Sequence, residues 1–402
     1  MPKILITGNG FDLSFGLPTA YSDFIQILNY ISKYEDLSFE YIYRNTAGFN
    51  LLKSNFKSFD LNLSEIEKLK TKLTYNWWFN FFKEEYELET WIDFENKIEY
   101  VLRLLFSSVS YIRENIFSHG SLENEYTLYG SEVFNNDIEI IQILTNFGII
   151  DFSDNTNISF APRYLVKKYN HFVDIDIDTI TKDLQNSLTE FKIIFNYYFE
   201  IFVFPFYSNL KIKNNQTFFK TINRHYTFNY TPTFEKIFDK STVTHFLHGK
   251  INSKENQIVL GINEIPKSEK IEKKYFIPFT KYFQKLNNET DYVFIKEFEK
   301  HKDKNYTFFF WGHSLDKSDE DYINEVFDFI NDSKSVIKRI VVIYHNSTAK
   351  SKLIVNLLDI RGKKDIQDLM RNKILIFTQI DSKEMKEELQ RNLAQQSSIR
   401  IS

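Results

Sequence analysis

The sequence predicts a doubly wound α/β fold, a mostly parallel sheet with a large helical insertion. Three observations carry this prediction. An apolar run at the N-terminus enters a glycine turn, the next two hundred residues or so carry helical periodicity, and strand-like runs then return in alternation with helical stretches. Strands alternating with helices imply crossover connections and a parallel sheet.

Taken in order, Lys3-Ile4-Leu5-Ile6-Thr7 is a short apolar run followed at once by Gly8, the form of a buried strand entering a phosphate-type turn. From about Tyr21 to about Phe206 the period becomes helical. Trp91, Phe94, Ile98, Val101, Leu102, Leu105 and Val109 fall on one face of a helix. Ser64-Glu65-Ile66-Glu67 reads as a capping box, and a third apolar stripe runs from Leu184 to Phe204 and stops near Pro205. Strand-like runs follow at Ile222 to Phe228, Val243 to Leu247, Gln257 to Leu260, Tyr306 to Trp311, Arg339 to Tyr344 and Lys373 to Phe377. The simplest assembly makes residues 1–20 and 221–402 one Rossmann-like nucleotide-binding domain and residues 21–220 a helical insertion domain. No internal repeat or Pro/Gly/Ser linker marks the boundaries.

The chain has 402 residues, 43% hydrophobic and 26% charged, ample for a sizeable core and unlike a disordered or collagenous chain. A net charge of −4 does not supply the broad basic footprint of a dedicated nucleic-acid binder. The absence of cysteine removes disulfides, a thiol nucleophile and cysteine-ligated metal centres. The 41 Phe and 24 Tyr, dispersed among Ile, Asn and Lys, read as core packing and codon bias rather than as base-stacking platforms. With no signal peptide and no apolar run of roughly 18 residues, the sequence predicts a cytoplasmic protein without a membrane partner.

Chemistry gathers where strands end. In Gly8-Asn9-Gly10-Phe11-Asp12 the glycines allow a sharp turn and a close ligand, and a following helix N-terminus would offer free amides to a diphosphate. The third glycine is Gly16, so the spacing is not Gly-x-Gly-x-x-Gly, and a plain tight turn is the competing reading. Thr227-Phe228-Asn229-Tyr230-Thr231 and His245-Phe246-Leu247-His248-Gly249 end two further strands, which in a parallel sheet deliver Asn229 and His248 to the same edge. Asn can hold a hydroxyl or a water, and His can accept a proton near neutrality. His245 alternates with the interior set and is read as structural. The run Gly312-His313-Ser314-Leu315-Asp316-Lys317-Ser318-Asp319 opens another helix, where Asp316 or Ser318 serves as a cap and Gly312, Ser314 and Asp319 are candidates for a nucleotide. Asp93 and Glu95 do not share a helix face and are read as solvated acids. No acidic cluster with metal-ligand spacing is visible, so no metal is expected.

Taken together, Ile4 to Asp12, Gly16-Leu17-Pro18-Thr19, Tyr21-Ser22-Asp23-Phe24, Trp91 to Glu95, Phe228 to Thr231, His248-Gly249 and Gly312 to Leu315 resemble the bacteriophage abortive-infection AbiH family. That family is distantly similar to sirtuin-like proteins of bacterial defence, which have a Rossmann-type sheet and destroy NAD. The resemblance implies that Gly8 and Gly10, with Asn9, Phe11 and Asp12, lie at the NAD diphosphate. It further implies that Asn229 orients the attacking water or the nicotinamide ribose, that His248 is the catalytic base, and that Gly312, His313, Ser314 and Asp319 face the adenosine half. Two departures stand out. Thr231 occupies the place where sirtuins carry an acid that grips the nicotinamide amide, and Asn9 and Asp12 replace small residues of the sirtuin loop. A chain with no cysteine also cannot build the zinc module of sirtuin deacetylases.

The function expected from this is hydrolysis of NAD to nicotinamide and ADP-ribose in phage defence, by a homo-oligomer that answers a phage-derived trigger. Its alternatives are a nucleotide-sensing module that signals to a partner and a toxic nuclease.

Overall fold

The structure, a computed structural model, describes residues 2–391 apart from residues 56–60, 85–90, 118–126, 130–136, 152–156, 170, 209, 211–215, 239, 253–256, 267–270, 291–293, 296–297, 299–303 and 333–337. Its main sheet has six parallel strands: β1 (Lys3–Thr7), β2 (Arg224–Thr227), β3 (Thr244–Phe246), β4 (Tyr306–Trp311), β5 (Lys338–Tyr344) and β6 (Leu375–Gln379). The order is β6-β5-β4-β1-β2-β3, so the chain winds one way from β1 and then returns to wind the other. That is the Rossmann order, with its topological switch point between β1 and β4.

Burial on both faces explains why these strands read as continuous apolar runs. Ile4, Ile6, Phe308, Phe310, Ile340 and Val342 pack on one face, and Leu5, Phe309, Trp311, Val341 and Ile343 on the other. The first face is covered by α7 (Glu320–Asp332) and α8 (Ser347–Arg371), through Val326, Phe327, Ile330, Leu353 and Leu357. Arg339 of β5, one strand in from the edge, makes a bidentate pair with Glu388 at 2.7 and 2.8 Å, both side chains buried. Removing one partner strands the other charge, so Glu388→Ala should lower stability by about 3 kcal/mol in urea unfolding. A loss within about 0.5 kcal/mol of zero would show that water reaches Arg339 freely.

Between β1 and β2 lies the insertion. Its principal helices are α2 (Tyr21–Lys33), α3 (Leu63–Tyr75), α4 (Trp91–Ile112) and α5 (Ile177–Tyr198), preceded by the short α1 (Asn9–Leu13) that follows the glycine turn. The expected stripe from Trp91 to Val109 is the buried face of α4, and the Leu184 stripe continues through a π-turn, Phe199–Val203, to the turn at Phe204–Ser208. The start of α3 differs from the expected capping box. Asn62 is the cap, accepting from the Glu65 amide at 3.4 Å, while Ser64 donates to Asn62 Oδ1. The insertion also holds two short antiparallel sheets, Leu165–Lys168 with His171–Ile175, and Asn157–Phe160 with Thr127–Tyr129 and Ile150–Asp151.

Gln257 to Leu260, expected as a strand, is buried but pairs with no strand. Its polar groups are met singly instead. Val259 N–H donates to His248 O at 2.9 Å, and the Gln284 side chain both accepts from Leu260 N–H and donates to Leu260 O. Ile258, Leu260, Tyr275, Phe276 and Phe279 join the insertion's core, which places α6 (Lys281–Asn287) beside the sheet edge.

Candidate functional site

A cavity of about 950 Å³ opens over the C-terminal ends of the strands. Gly8, Asn9, Gly10, Asp12, Asn229, Thr231, His248, Gly312, His313, Ser314 and Asp319 all line it. Phe11 does not. It is buried under the sheet edge against Phe15, Phe219, Phe238 and Trp311, because α1 turns it toward the apolar side.

The glycines first serve the protein itself. Gly8 N–H donates to Trp311 O at 3.2 Å and Gly10 N–H to Gly312 O at 2.8 Å, so the turns after β1 and β4 touch backbone to backbone. A Cβ on Gly8 would stand 2.7 Å from His313 Cα, and one on Gly10 2.8 Å from Gly312 Cα. The amides of Gly10 and Phe11 are both engaged, the second by Gly8 O at 2.9 Å. The expected row of free first-turn amides is therefore not what this turn presents.

Asn229 ties β2 to the same turn. Its Nδ2 donates to Gly8 O at 3.0 Å, which leaves Oδ1 as the ligand-facing atom, and its backbone amide donates to Thr227 Oγ1. Behind it, Thr227, Thr7, His225 and Thr244 form a buried polar thread across three strands. Burial drives the His225 imidazole down to about 3, so it is neutral and structural.

On the other side of the switch point, two histidines share one carboxylate. His248 Nε2 lies 3.5 Å from Asp319 Oδ1, and His313 Nε2 lies 3.4 Å from Asp319 Oδ2, with the Phe228 ring against both imidazoles. His313 Nδ1 accepts the Leu315 amide at 2.9 Å, which assigns its proton to Nε2. Leu315 reaches that position through left-handed backbone, φ 51°. Burial lowers His248 to about 4 against the opposing pull of Asp319, so the ring is neutral above that pH. Burial alone would raise Asp319, but the facing imidazoles and the charge of Lys281 outweigh it and hold the carboxyl well below its usual range.

Glu95 overturns its reading as a solvated acid. It is buried on the cavity wall with Lys281 Nζ 2.6 Å away. Burial raises it to about 7 even against the pull of Lys281, whose own ammonium is held above its usual range by Glu95 and Asp319 against the cost of burial. Lys285, one turn further along α6, contacts the Tyr322 hydroxyl, and burial lowers it to about 8. No pattern in the sequence marks this pairing, because Glu95 and the two lysines come from distant segments. The opposite wall, with Tyr344, His345 and Lys352 at the start of α8, was equally unmarked. Ser314 is exposed at the mouth, where its carbonyl accepts from Asn356 Nδ2. The expected cap at Asp316 is present, accepting the Ser318 amide at 3.0 Å. Among the described residues no group of three or more His, Asp or Glu is arranged to hold a metal ion, and no helix is long and apolar enough to cross a membrane.

Strand order, insertion and pocket together define a Rossmann-like α/β protein whose insertion walls a titratable cavity at the switch-point edge. A family model described as bacteriophage abortive infection AbiH matches residues 4–344, and the chain belongs to that family. Membership implies a role in abortive infection by bacteriophage. No curated protein and no solved structure matches the chain.

Proposed function

We propose that the cavity hydrolyses NAD to nicotinamide and ADP-ribose as the toxic step of abortive infection. The observation that carries this reading is the meeting of Asn229 and His248, delivered by different strands, with the ionised Asp319 on one cavity of ligand size. The bond from ribose C1′ to the nicotinamide nitrogen breaks, its electron pair leaving with nicotinamide, and the sugar passes through an oxocarbenium-like state. Asp319 provides a fixed negative charge near that cation without bulk water. Asn229 Oδ1 holds the attacking water. His248, with Nε2 turned to Asp319, accepts the water's proton on Nδ1, and Asp319 stabilises the imidazolium. In this reading the protein is cytoplasmic and a phage-derived trigger releases its activity.

The test is chromatography of NAD after incubation with purified protein, alone and with phage-infected lysate. Wild type should release nicotinamide, and Asn229→Ala and His248→Ala should each lose at least about a hundredfold while melting as folded proteins. Intact NAD in both mixtures with folded wild type overturns the reading. Tight NAD binding without turnover points to a nucleotide sensor, and RNA decay with NAD unchanged points to a nuclease.

A further inference from the structure

Among the described residues, two polar atoms of the cavity wall, Asp12 Oδ1 and Thr19 Oγ1, are buried without a hydrogen-bond partner. Unpaired buried polar atoms are uncommon and costly, and at a cavity they mark places where a ligand completes the bonding. Asp12 is the one among them whose environment also decides where a proton sits. The side chain is 1% exposed, and Thr231 Oγ1 donates to Oδ2. Thr233 Oγ1 donates in turn to Thr231 Oγ1 at 3.2 Å, and the Tyr207 hydroxyl lies 2.8 Å from Thr233 Oγ1. With Oδ2 already accepting from Thr231, an acid proton on Asp12 is carried by Oδ1, which has no partner in the protein, on a residue that lines the cavity.

The groups that face Asp12 are the hydroxyls of Thr231 and Thr233, the Asn229 amide and the Tyr207 phenol, none of them a cation. Burial therefore dominates and pushes the carboxyl up to about 7 against those hydrogen bonds. At neutral pH a large share of the protein presents an O–H to the ligand, while His248 across the cavity stays neutral and accepting. Two titratable groups driven apart in this way divide into an acid and a base.

We propose that Asp12 is the proton donor of this site, delivering the Oδ1 proton to a ring nitrogen of the leaving base, so that the cavity also cleaves purine nucleotides. This deepens the N-glycosidic reading above and rests on it for the base, His248. The leaving groups differ in what they need. Nicotinamide departs from a pyridinium as a neutral molecule and takes no proton, whereas a purine expelled from C1′ carries the bond's electron pair as an anion unless it is protonated. In the purine reaction the C1′–N9 bond breaks with its pair going to the base, and Asp12 Oδ1–H protonates that base. Water adds to C1′ and gives its proton to His248 Nδ1. The products are free purine and ribose 5-phosphate, and solvent returns the proton from His248 to Asp12.

The full-length protein is incubated in parallel with adenosine 5′-monophosphate and with NAD, and free adenine and nicotinamide are quantified by chromatography. Wild type is expected to release adenine, with a rate that falls as pH rises through about 7, as loss of an acid requires. Asp12→Asn keeps the shape and a donor but has no transferable proton, and it should lower the ratio of adenine to nicotinamide release at least about thirtyfold. Thr231→Val removes the bond that favours the ionised carboxylate, so its alkaline limb should move to higher pH. No adenine release by folded wild type, or an unchanged ratio in Asp12→Asn, overturns the assignment. Adenine release without nicotinamide release keeps it and overturns the NAD reading.

Discussion

Gly312→Ala is expected to yield no native protein. Gly312 has φ +66°, and an added Cβ would stand 2.0 Å from Phe11 N and 2.3 Å from Gly10 C. Both neighbours are backbone, so no side chain can rotate away. Relief requires the turns after β1 and β4 to separate, which breaks the bonds from Gly8 N–H to Trp311 O and from Gly10 N–H to Gly312 O and lifts Phe11 from its aromatic cluster. Each lost hydrogen bond costs about 1 kcal/mol, and losing Phe11 packing about 3 kcal/mol, together a large part of a typical domain's stability. Gly362→Ala is the internal control. Its φ of +77° with ψ 160° is a backbone conformation essentially confined to glycine, but nothing lies within 4 Å of its Cβ, so a backbone penalty of about 1–3 kcal/mol applies without a clash. Soluble yield and thermal melting of the two variants separate the effects. A Gly312→Ala protein melting as high as Gly362→Ala would show that the two turns are not in rigid contact.

If the proposed NAD hydrolysis holds, Asp319→Asn should fold and lose about a thousandfold in nicotinamide release. The side chain is nearly isosteric, but an amide offers one acceptor where the carboxylate offers two, and its NH2 would face an imidazole N–H. His248 and His313 then compete for one oxygen, and His248 loses both its tautomer and the charge that stabilises its imidazolium. Swapping the orienting acid of a His–Asp pair for its amide has cost about ten-thousandfold in the serine proteases, which sets the scale. The effect is not a loss of histidine charge at rest, because His248 is neutral above about pH 4 already. Nitrogen-15 spectra of the histidine rings should show the changed tautomer while melting stays within a few degrees of wild type. Retention of more than a tenth of the activity by the folded variant would remove Asp319 from the mechanism.

The sheet was legible because its strands are buried on both faces. Tyr306 to Trp311 is read to the residue; the runs at Ile222 and Val243 contain the observed strands, the run at Arg339 starts one residue late, and the run at Lys373 starts and ends two residues early. Gln257 to Leu260 failed because burial alone does not distinguish a strand from a coil whose amides are met by one glutamine and one carbonyl. Among candidate residues, those at strand ends were visible since parallel strands deliver their C-terminal neighbours to one edge. Glu95, Lys281 and Lys285 were not, because an ion pair between distant segments leaves no local pattern. Phe11 was misplaced for a simpler reason: the motif fixes its position in the chain, while the turn of α1 fixes which way its ring goes.

β1, at the middle of this sheet, is made long before either of its partners. β1 lies between β2, whose register pairs Ile4 with Arg224, and β4, whose register pairs Lys3 with Thr307. At about 5–20 residues per second, roughly ten to forty seconds of synthesis separate β1 from its first partner, and its second arrives later still. The insertion, with its own core, emerges during that wait. The wall at Tyr344 and His345 comes after both partners. An unfinished chain therefore lacks the complete cavity, and whatever chemistry the site performs begins only after translation has passed His345.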